Sequence, residues 1–343
     1  MDSITEDLYA QNPKTLVEQI QSPSRNFEWV VIDEIQKVPK LLDVVHQQIE
    51  NSPVKFAMTG SSARKLKKGG ANLLAGRAFM NHLFPLTHIE METEFDLLQA
   101  LQWGTLPKTT QLKLSEEKEA FLKAYALTYL KEEIWAEHII RQLDPFRKFL
   151  EIAAQTNGQI VNFSNIARDV GADTKTVQSY FQILEDTLLG FFLESFHLSI
   201  RKQQHKNPKF YLFDTGAKRA LDKTLTQALL PNTYAFGKAF EHFIILEAHR
   251  LNIYRGRDFG FSYLRTKDDV EIDLIVERPG AKMALVEIKS ASLVDERDTK
   301  SLEHFLKDFP KGEAFLLSRD PNPKKIGNVQ ALPWQMGFKE IGF

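Results

Sequence analysis

The chain has 343 residues, enough for about two or three domains, with 43% hydrophobic and 26% charged residues. It has no cysteine, which excludes disulfide scaffolds, thiolate metal sites and cysteine nucleophiles. A net charge of −1 draws the protein as a whole to neither nucleic acid nor anionic lipid, so any such contact needs local patches. No apolar run is long enough for a membrane span, and Met1–Gln11 lacks the features of a signal peptide. We therefore expect a cytoplasmic protein with no membrane partner.

The N-terminal part alternates short apolar runs with an amphipathic segment. Phe27–Ile32 predicts a buried strand with Trp29 in the core, and Lys55–Met58 predicts a second strand. Leu41–Glu50, between them, has helical periodicity. This order favours a parallel α/β unit.

The middle of the chain is mainly helical. Ser115 is a candidate N-cap of a long helix that has acidic residues in its first turn. Ser164 can cap a short helix at Asn165–Asp169, Gly171 makes the turn, and Asp173 or Thr174 can cap the next helix at Lys175–Leu184. Helix, glycine turn and helix are typical of a helix-turn-helix or winged helix. The candidate recognition helix contains a single basic residue, so a packing module is the alternative.

The C-terminal part predicts a helix followed by a strand meander. Phe236–Leu251 is the long helix, and Asp214 is a candidate turn or helix-cap residue before it. Three strands, a helix and a strand follow, at Gly260–Thr266, Glu271–Glu277, Met283–Lys289, Thr299–Phe309 and Glu313–Leu317.

Two acids follow the first predicted strand, at Asp33 and Glu34. In a P-loop ATPase an acid at this place lies near Mg²⁺ and the next one polarises the attacking water. Thr59 or Ser61, after the second strand, would then contact the γ-phosphate or the water. The alternative is a strand that ends in a solvated turn. A phosphate-binding Gly-x-x-x-x-Gly-Lys-Ser/Thr string is absent from the printed sequence, so we expect ATP binding to be weak or absent.

A second group of charged residues lies on the meander. Glu287 and Lys289 alternate on one strand and so share a face, and Asp273 lies on the neighbouring strand. Two carboxylates beside a lysine predict a Mg²⁺ site, with Lys289 steering water and stabilising the charge of a phosphorane. Glu241, on the preceding helix, can complete the ligand set. The alternative is a surface Glu–Lys pair on an edge strand.

Several strings of the sequence resemble a prokaryotic family of AAA-type ATPases that carry a C-terminal domain of unknown function related to PD-(D/E)xK nucleases. The strings lie at residues 30–39, 59–66, 73–77, 208–216 and 286–290. The resemblance implies that Asp33 is the Walker B ligand of Mg²⁺ and Glu34 the catalytic base. It implies Thr59 or Ser61 as the sensor.

The remaining roles that the resemblance implies are an arginine finger at Arg64 or Arg77 and a nuclease motif of Asp273, Glu287 and Lys289. It divides the chain into a partial AAA-type domain (1–95), a helical and winged-helix-like region (96–205) and a restriction-endonuclease-like α/β domain (206–343). The predicted fold class is therefore multidomain α/β. Because an arginine finger acts on a neighbour's nucleotide, a homo-oligomer is a further expectation.

Family members begin with a strand and a P-loop ahead of the residue that matches Met1. A truncated gene, a mis-called start codon or a fragment would each account for this difference. The first functional hypothesis is an ATPase-like protein that acts on nucleic acid by Mg²⁺-dependent phosphodiester hydrolysis, with ATP used only by relatives that have the P-loop. The second hypothesis is a non-catalytic, ATP-independent adaptor or regulatory protein with a decayed nuclease fold.

Overall fold

The computed structural model describes residues 3–22, 27–60, 76–126, 143–197, 207–266 and 270–343. The chain divides into two compact units, which are Met1–Asn81 with Asp186–Leu188 and His82–Glu185 with Leu189–Phe343. Across these described ranges, every helix is too short or too polar to cross a bilayer.

The first unit contains a two-stranded parallel sheet with helices against it. In chain order its elements are α1 (Ser3–Gln11), α2 (Thr15–Ile20), β1 (Trp29–Ile32), a 3-10 turn (Ile35–Lys37), α3 (Leu41–Asn51) and β2 (Lys55–Met58). Strands β1 and β2 pair in parallel, with Ile32 beside Met58. The buried core of the unit combines α2, β1 and the apolar side of α3. The predicted α/β unit and its parallel strands are confirmed.

The burial of β1 differs from the prediction. Val30 and Ile32 pack on the core of the unit, whereas Trp29 is 53% exposed and Val31 69% exposed. Successive strand residues point to opposite faces, so only one face of β1 is packed. The predictions of a fully buried strand and a core Trp29 are therefore wrong. Lys55 partly covers the indole, with its Nζ 5.4 Å from the ring centroid.

The second unit begins with helices and continues into a large sheet. The helical elements are α4 (His88–Met91), a 3-10 turn (Glu92–Glu94), α5 (Leu97–Trp103), α6 (Pro107–Gln111), α7 (Ser115–Ala124), α8 (Leu143–Gln155), α9 (Phe163–Val170) and α10 (Thr174–Asp186). Helix α7 starts at Ser115 itself, with Leu114 as its N-cap and no side-chain cap bond. Ser115 is thus one position too late to cap, which corrects that prediction.

Helices α9 and α10 form the predicted helix–turn–helix. Gly171 ends α9 in the left-handed conformation, and the Asp173 carboxylate accepts a hydrogen bond from the Thr176 N–H (2.9 Å) at the start of α10. The cap of α9 is Asn162, which accepts from Asn165, and not the predicted Ser164. The winged-helix and DNA-binding interpretations stay predictions.

Eight strands form one mixed sheet. They are β3 (Gly190–Ser195), β4 (Lys209–Leu212), β5 (Gly260–Arg265), β6 (Glu271–Glu277), β7 (Ala284–Lys289), β8 (Glu313–Ser318), β9 (Lys324–Ile326) and β10 (Val329–Pro333), in the order β4-β3-β5-β6-β7-β8-β10-β9. The predicted antiparallel meander β5–β6–β7 is confirmed, and β8 pairs with β7 in parallel. Because β3 pairs with both β4 and β5, the sheet spans residues on both sides of 205. The three-part domain division stays a prediction.

Helices cover both faces of this sheet. The remaining helices are α11 (Thr215–Leu221), α12 (Tyr234–Tyr254), α13 (Glu296–Asp308) and α14 (Trp334–Ile341). Helices α12 and α14 share one buried core with the sheet, and α13 packs on the opposite face. In β7, Val286 packs in the core shared with α12 and α14, and Leu285 packs in the core shared with α13. Both faces of the strand are therefore covered, which explains why it is apolar at successive positions.

A buried carboxylate joins α5 to α11. Asp214 caps α11 by accepting from the Ala217 N–H (2.9 Å), and its other oxygen accepts from the Thr105 N–H (2.8 Å). The helix-cap interpretation of Asp214 is confirmed. Gly104 has a φ of +74°, and a Cβ there would lie 2.1 Å from an Asp214 oxygen. The close approach of the Asp214 carboxylate to the backbone at residue 104 thus requires glycine.

We expect Gly104→Ala to destabilise the second unit by about 3 kcal/mol or more, since the new methyl group displaces a buried, hydrogen-bonded carboxylate. Gly280→Ala is the matched control, because Gly280 has a φ of +76° but an added Cβ meets nothing within 4 Å. It should cost only about 1 kcal/mol. Urea unfolding of both variants measures the difference, and equal losses would show that backbone strain alone sets the cost.

Candidate active site

Strands β6 and β7 bring two acids together. Leu274 pairs with Val286 in the antiparallel register, so continuing the ladder by one residue places Asp273 opposite Glu287. The Asp273 carboxylate also accepts a hydrogen bond from the Ile288 N–H at 2.7 Å. This hydrogen bond between neighbouring strands holds the Asp273 carboxylate close to the C-terminal end of β7.

Glu287 has one paired and one unpaired oxygen. Its Oε1 lies 2.6 Å from the ammonium of Lys289, two residues further along the same strand. Glu287 is only 6% exposed, and within the described chain its Oε2 has no hydrogen-bond partner. A buried carboxylate oxygen without a donor is costly, and a bound cation removes that cost.

Glu241 reaches the same region from α12, with three groups around it. Lys238 donates to it at 2.7 Å, the Tyr211 hydroxyl donates at 3.0 Å, and the Lys209 ammonium lies 3.7 Å away. Burial raises the pKa of Glu241, but the charges of Lys209 and Lys238 outweigh burial and lower it overall. Glu241 is therefore an ionised carboxylate held mainly by lysines.

Lys209 is a buried cation at the centre of this network. It lies on β4, is 2% exposed, forms an ion pair with Glu271 of β6, and packs 5.2 Å from the centroid of the Tyr263 ring. Burial lowers the pKa of Lys209, but the charges of Glu241 and Glu271 raise it by a larger amount, so the net shift is upward. A lysine buried this deeply is retained because carboxylates surround it.

Burial and neighbouring carboxylates raise the pKa values of Asp273 and Glu287. Burial raises the pKa of Asp273 well above its usual range, and the charges of Glu287 and Glu241 raise it further. Burial likewise raises the pKa of Glu287, although Lys289 lowers it. The rise in the pKa of Asp273 agrees with its place opposite Glu287 in the strand register.

The donor set fits a magnesium ion held by two carboxylates. Among the described residues, no group of three or more His, Asp or Glu side chains is arranged to hold a metal. Magnesium needs fewer protein ligands, because it keeps several waters and is commonly bound by one or two carboxylates. Asp273 and the unpaired oxygen of Glu287 meet that requirement, whereas the Glu241 oxygens are engaged by lysines and tyrosine.

The structure thus brings Asp273, Glu287 and Lys289 together, with Glu241 beside them. Sequence reasoning missed three partners, which are Lys209, Lys238 and Tyr211. The available signal was Lys209 itself, a charged residue in the otherwise apolar run 209–213. Because a strand interior seldom carries an unpaired lysine, that position indicates a buried carboxylate partner.

The acids of the first unit lie at the ends of its two parallel strands. The Thr59 hydroxyl donates to Asp33 at 2.6 Å and accepts from the Glu34 N–H at 3.1 Å. The hydrogen bond from Thr59 lowers the pKa of Asp33. Glu34 adopts a left-handed conformation, with a φ of 55°. Asp33, Glu34 and Thr59 are therefore brought together as the pattern of two strand ends suggests.

The two arginine-finger candidates have different outcomes. Arg77 forms an ion pair with Glu50 of α3 at 2.8 Å. Arg64 and the sensor candidate Ser61 lie outside the described residues. The roles of these three residues stay predictions.

Comparison with known families gives three matches along the chain. Residues 1–92 match an AAA domain family, residues 94–228 match a domain of unknown function (DUF8612), and residues 236–336 match another (DUF4143). The first and last matches support an AAA-type ATPase-like family. The matched C-terminal domain has no assigned function, and it contains Glu241, Asp273, Glu287 and Lys289.

Curated relatives are distant. Uncharacterized proteins of Mycobacterium tuberculosis and Mycobacterium bovis are each 26% identical over 265 residues, 77% of this chain and 59% of the relative. An uncharacterized protein of Haemophilus influenzae is 21% identical over 320 residues, 88% of this chain and 76% of the relative. The chain spans about three fifths of the length of the mycobacterial relatives.

We expect Lys209→Met to lower the free energy of unfolding by about 3–5 kcal/mol at neutral pH, because it leaves Glu241 and Glu271 with less compensation. Lys282→Met is the control, since Lys282 is exposed and lies 3.8 Å from Glu313; it should change stability by about 0.5 kcal/mol or less. Adding Glu271→Gln to Lys209→Met should restore part of the loss. Equal urea-unfolding curves for the two lysine variants would contradict the buried network.

Proposed function

We propose that this AAA-type ATPase-like chain is a Mg²⁺-dependent nuclease whose active site is the Asp273–Glu287–Lys289 group. The observation that carries the proposal is the buried Oε2 of Glu287, which has no partner among the described residues, on a residue that lies opposite Asp273. A structural Glu–Lys pair would be expected to use both oxygens or to be exposed.

In this proposal Asp273 and Glu287 hold the metal, and Lys289 stabilises negative charge on the phosphate. When bound, Mg²⁺ supplies Lewis-acid polarisation of the phosphoryl group. Hydrolysis adds water at phosphorus and breaks one P–O ester bond, leaving an alcohol and a phosphate monoester. The Lys289 ammonium stands beside Glu287, where it can meet the charge that develops on the phosphoryl oxygens.

A further cation at the same edge of the sheet favours a phosphodiester substrate. Arg319 follows β8, and its guanidinium lies 4.9 Å from the centroid of the Phe236 ring at the start of α12. Its backbone N–H donates to Ala291, just beyond Lys289 on β7. Arginine at this place suits a polyanion, because its planar group binds phosphate oxygens.

The first unit resembles the magnesium-binding part of an ATPase through Asp33, Glu34 and Thr59. The printed 343 residues contain no Gly-x-x-x-x-Gly-Lys-Ser/Thr string, so the proposal assigns catalysis to the second unit alone. Binding of ATP with Mg²⁺ is a proposal for relatives that have that string, and ring assembly is a proposal of the same kind.

A non-catalytic adaptor is the second candidate. The observation in its favour is that the lysines already compensate much of the carboxylate charge, with Lys209 and Lys238 on Glu241 and Lys289 on Glu287. A site compensated in this way is stable without a metal.

The test is cleavage of single-stranded, duplex and branched DNA and RNA with Mg²⁺ or Mn²⁺, and with EDTA. We expect metal-dependent cutting by the wild type and a loss of about 100-fold or more in Lys289→Ala, since that variant lacks the cation beside the phosphate. Lys282→Ala, which removes an exposed lysine just before β7, should cut like the wild type.

Metal binding is measured separately by calorimetric titration with Mn²⁺. Asp273→Asn and Glu287→Gln should each weaken it by about tenfold or more, since each removes one of the two ligands. An inert wild type that also fails to bind Mn²⁺ would reject the nuclease and favour the adaptor.

A further inference from the structure

A cavity of about 220 Å³ lies beside the N-terminal part of α12 and is lined by α11 and the segment that follows it. Three basic side chains, Lys218, Arg219 and Lys238, line it against one acid, Asp222. Asp222 is already engaged, because Lys218 forms an ion pair with it and the Thr224 hydroxyl donates to it at 2.6 Å. Lys218 is thus paired with Asp222, and Lys238 with Glu241, so Arg219 is the basic side chain of the lining that has no ion pair among the described residues.

Arg219 is the decisive residue of this cavity. It is 6% exposed, and its Nη2 donates to the backbone carbonyls of Thr224, at 2.6 Å, and Gln227. Its Nε is buried and donates to no acceptor in the described ranges. Among the described residues, the hydrogen bonds of this buried guanidinium go to neutral carbonyls, and no carboxylate is hydrogen-bonded to it.

The rest of the lining suits an organic phosphate. The amide side chains of Asn157 and Gln159 supply polar hydrogen-bonding groups, and the 77% exposed Tyr234 offers an aromatic face. Lys238 lies near that ring, with its Nζ 6.0 Å from the centroid. Guanidinium groups and amines together favour phosphate, which accepts several charge-assisted hydrogen bonds.

We propose that this cavity binds a phosphate monoester, with Arg219 as its anchoring cation. Two sources share this chemistry, which are a free mononucleotide and the phosphorylated end of a nucleic acid strand. Phosphodiester hydrolysis leaves such an end, but the cavity does not depend on that activity, because the hydrogen bonds of Arg219 go to Thr224 and Gln227 and not to the carboxylate site.

The experiment is calorimetric titration of the full chain, in EDTA, with inorganic phosphate, deoxyadenosine monophosphate, and a six-nucleotide DNA carrying either a 5′-phosphate or a 5′-hydroxyl. We expect saturable binding of phosphate-bearing probes. Binding of the mononucleotide alone identifies a free nucleotide, and preference for the 5′-phosphorylated DNA over its 5′-hydroxyl form identifies a strand end.

Substitutions at Ala228 test the cavity without removing the hydrogen bonds of Arg219. Ala228 lines the cavity and is exposed, so Ala228→Glu adds a negative charge there and Ala228→Gln is the neutral control of the same size. We expect Ala228→Glu to weaken binding at least tenfold and Ala228→Gln to change it less than threefold. Arg219→Gln should also abolish saturable binding.

The outcome is independent of the nuclease proposal. Lys289→Ala should bind the phosphate probes as the wild type does, whether or not either protein cleaves DNA. The proposal is overturned if the wild type shows no saturable binding up to about 10 mM phosphate or mononucleotide, a range that covers weak anion sites. It is also overturned if Ala228→Glu binds the phosphate probes like Ala228→Gln, or if the 5′-hydroxyl DNA binds saturably and as tightly as the 5′-phosphorylated DNA.

Discussion

Compensation of buried negative charge is the constraint on which the second unit depends. Asp273 and Glu287 face one another across two strands, and Glu241 approaches from α12 into the same region of low dielectric. Such a group is unstable unless cations lie beside it. The cations come from β4, α12 and β7, so charge pairing joins elements that are far apart in sequence. Within this network, the Oε2 of Glu287 is the position at which compensation is incomplete.

Helices on both faces of the large sheet determine how strongly these charged groups interact. The cores on the two faces of the sheet exclude water from the strands, which strengthens attraction and repulsion among the charged groups. The first unit differs, because Asp33 is exposed and accepts a hydrogen bond from the Thr59 hydroxyl. The chain therefore has two groups of acids, one at exposed strand ends and one within the strands of the large sheet and on α12.

Arg219 and Glu287 are the buried charged side chains on which the candidate anion site and the candidate cation site are based. Each side chain is nearly buried and each has one polar atom without a partner in the described chain. The two atoms differ in chemistry, since a carboxylate oxygen accepts and a guanidinium Nε donates. Lys238 links the two regions, because it lines the cavity and also donates to Glu241. The same helix thus contributes to a candidate cation site and a candidate anion site.

Local pattern was sufficient for most elements and for part of the site. Periodicity predicted β1, β2, the β5–β6–β7 meander and α12, and alternation placed Glu287 and Lys289 on one face beside Asp273, because neighbouring strands of a hairpin share faces. Only the tertiary structure paired Lys209 with Glu271, 62 residues away, since no local rule states which distant strands become neighbours. It also decided that Trp29 is exposed, because an apolar strand has the same sequence whether one face or both are covered. The sequence by itself determined which residues alternate and where strands end; the packing of distant elements decided which charges are buried and which of them lack a partner.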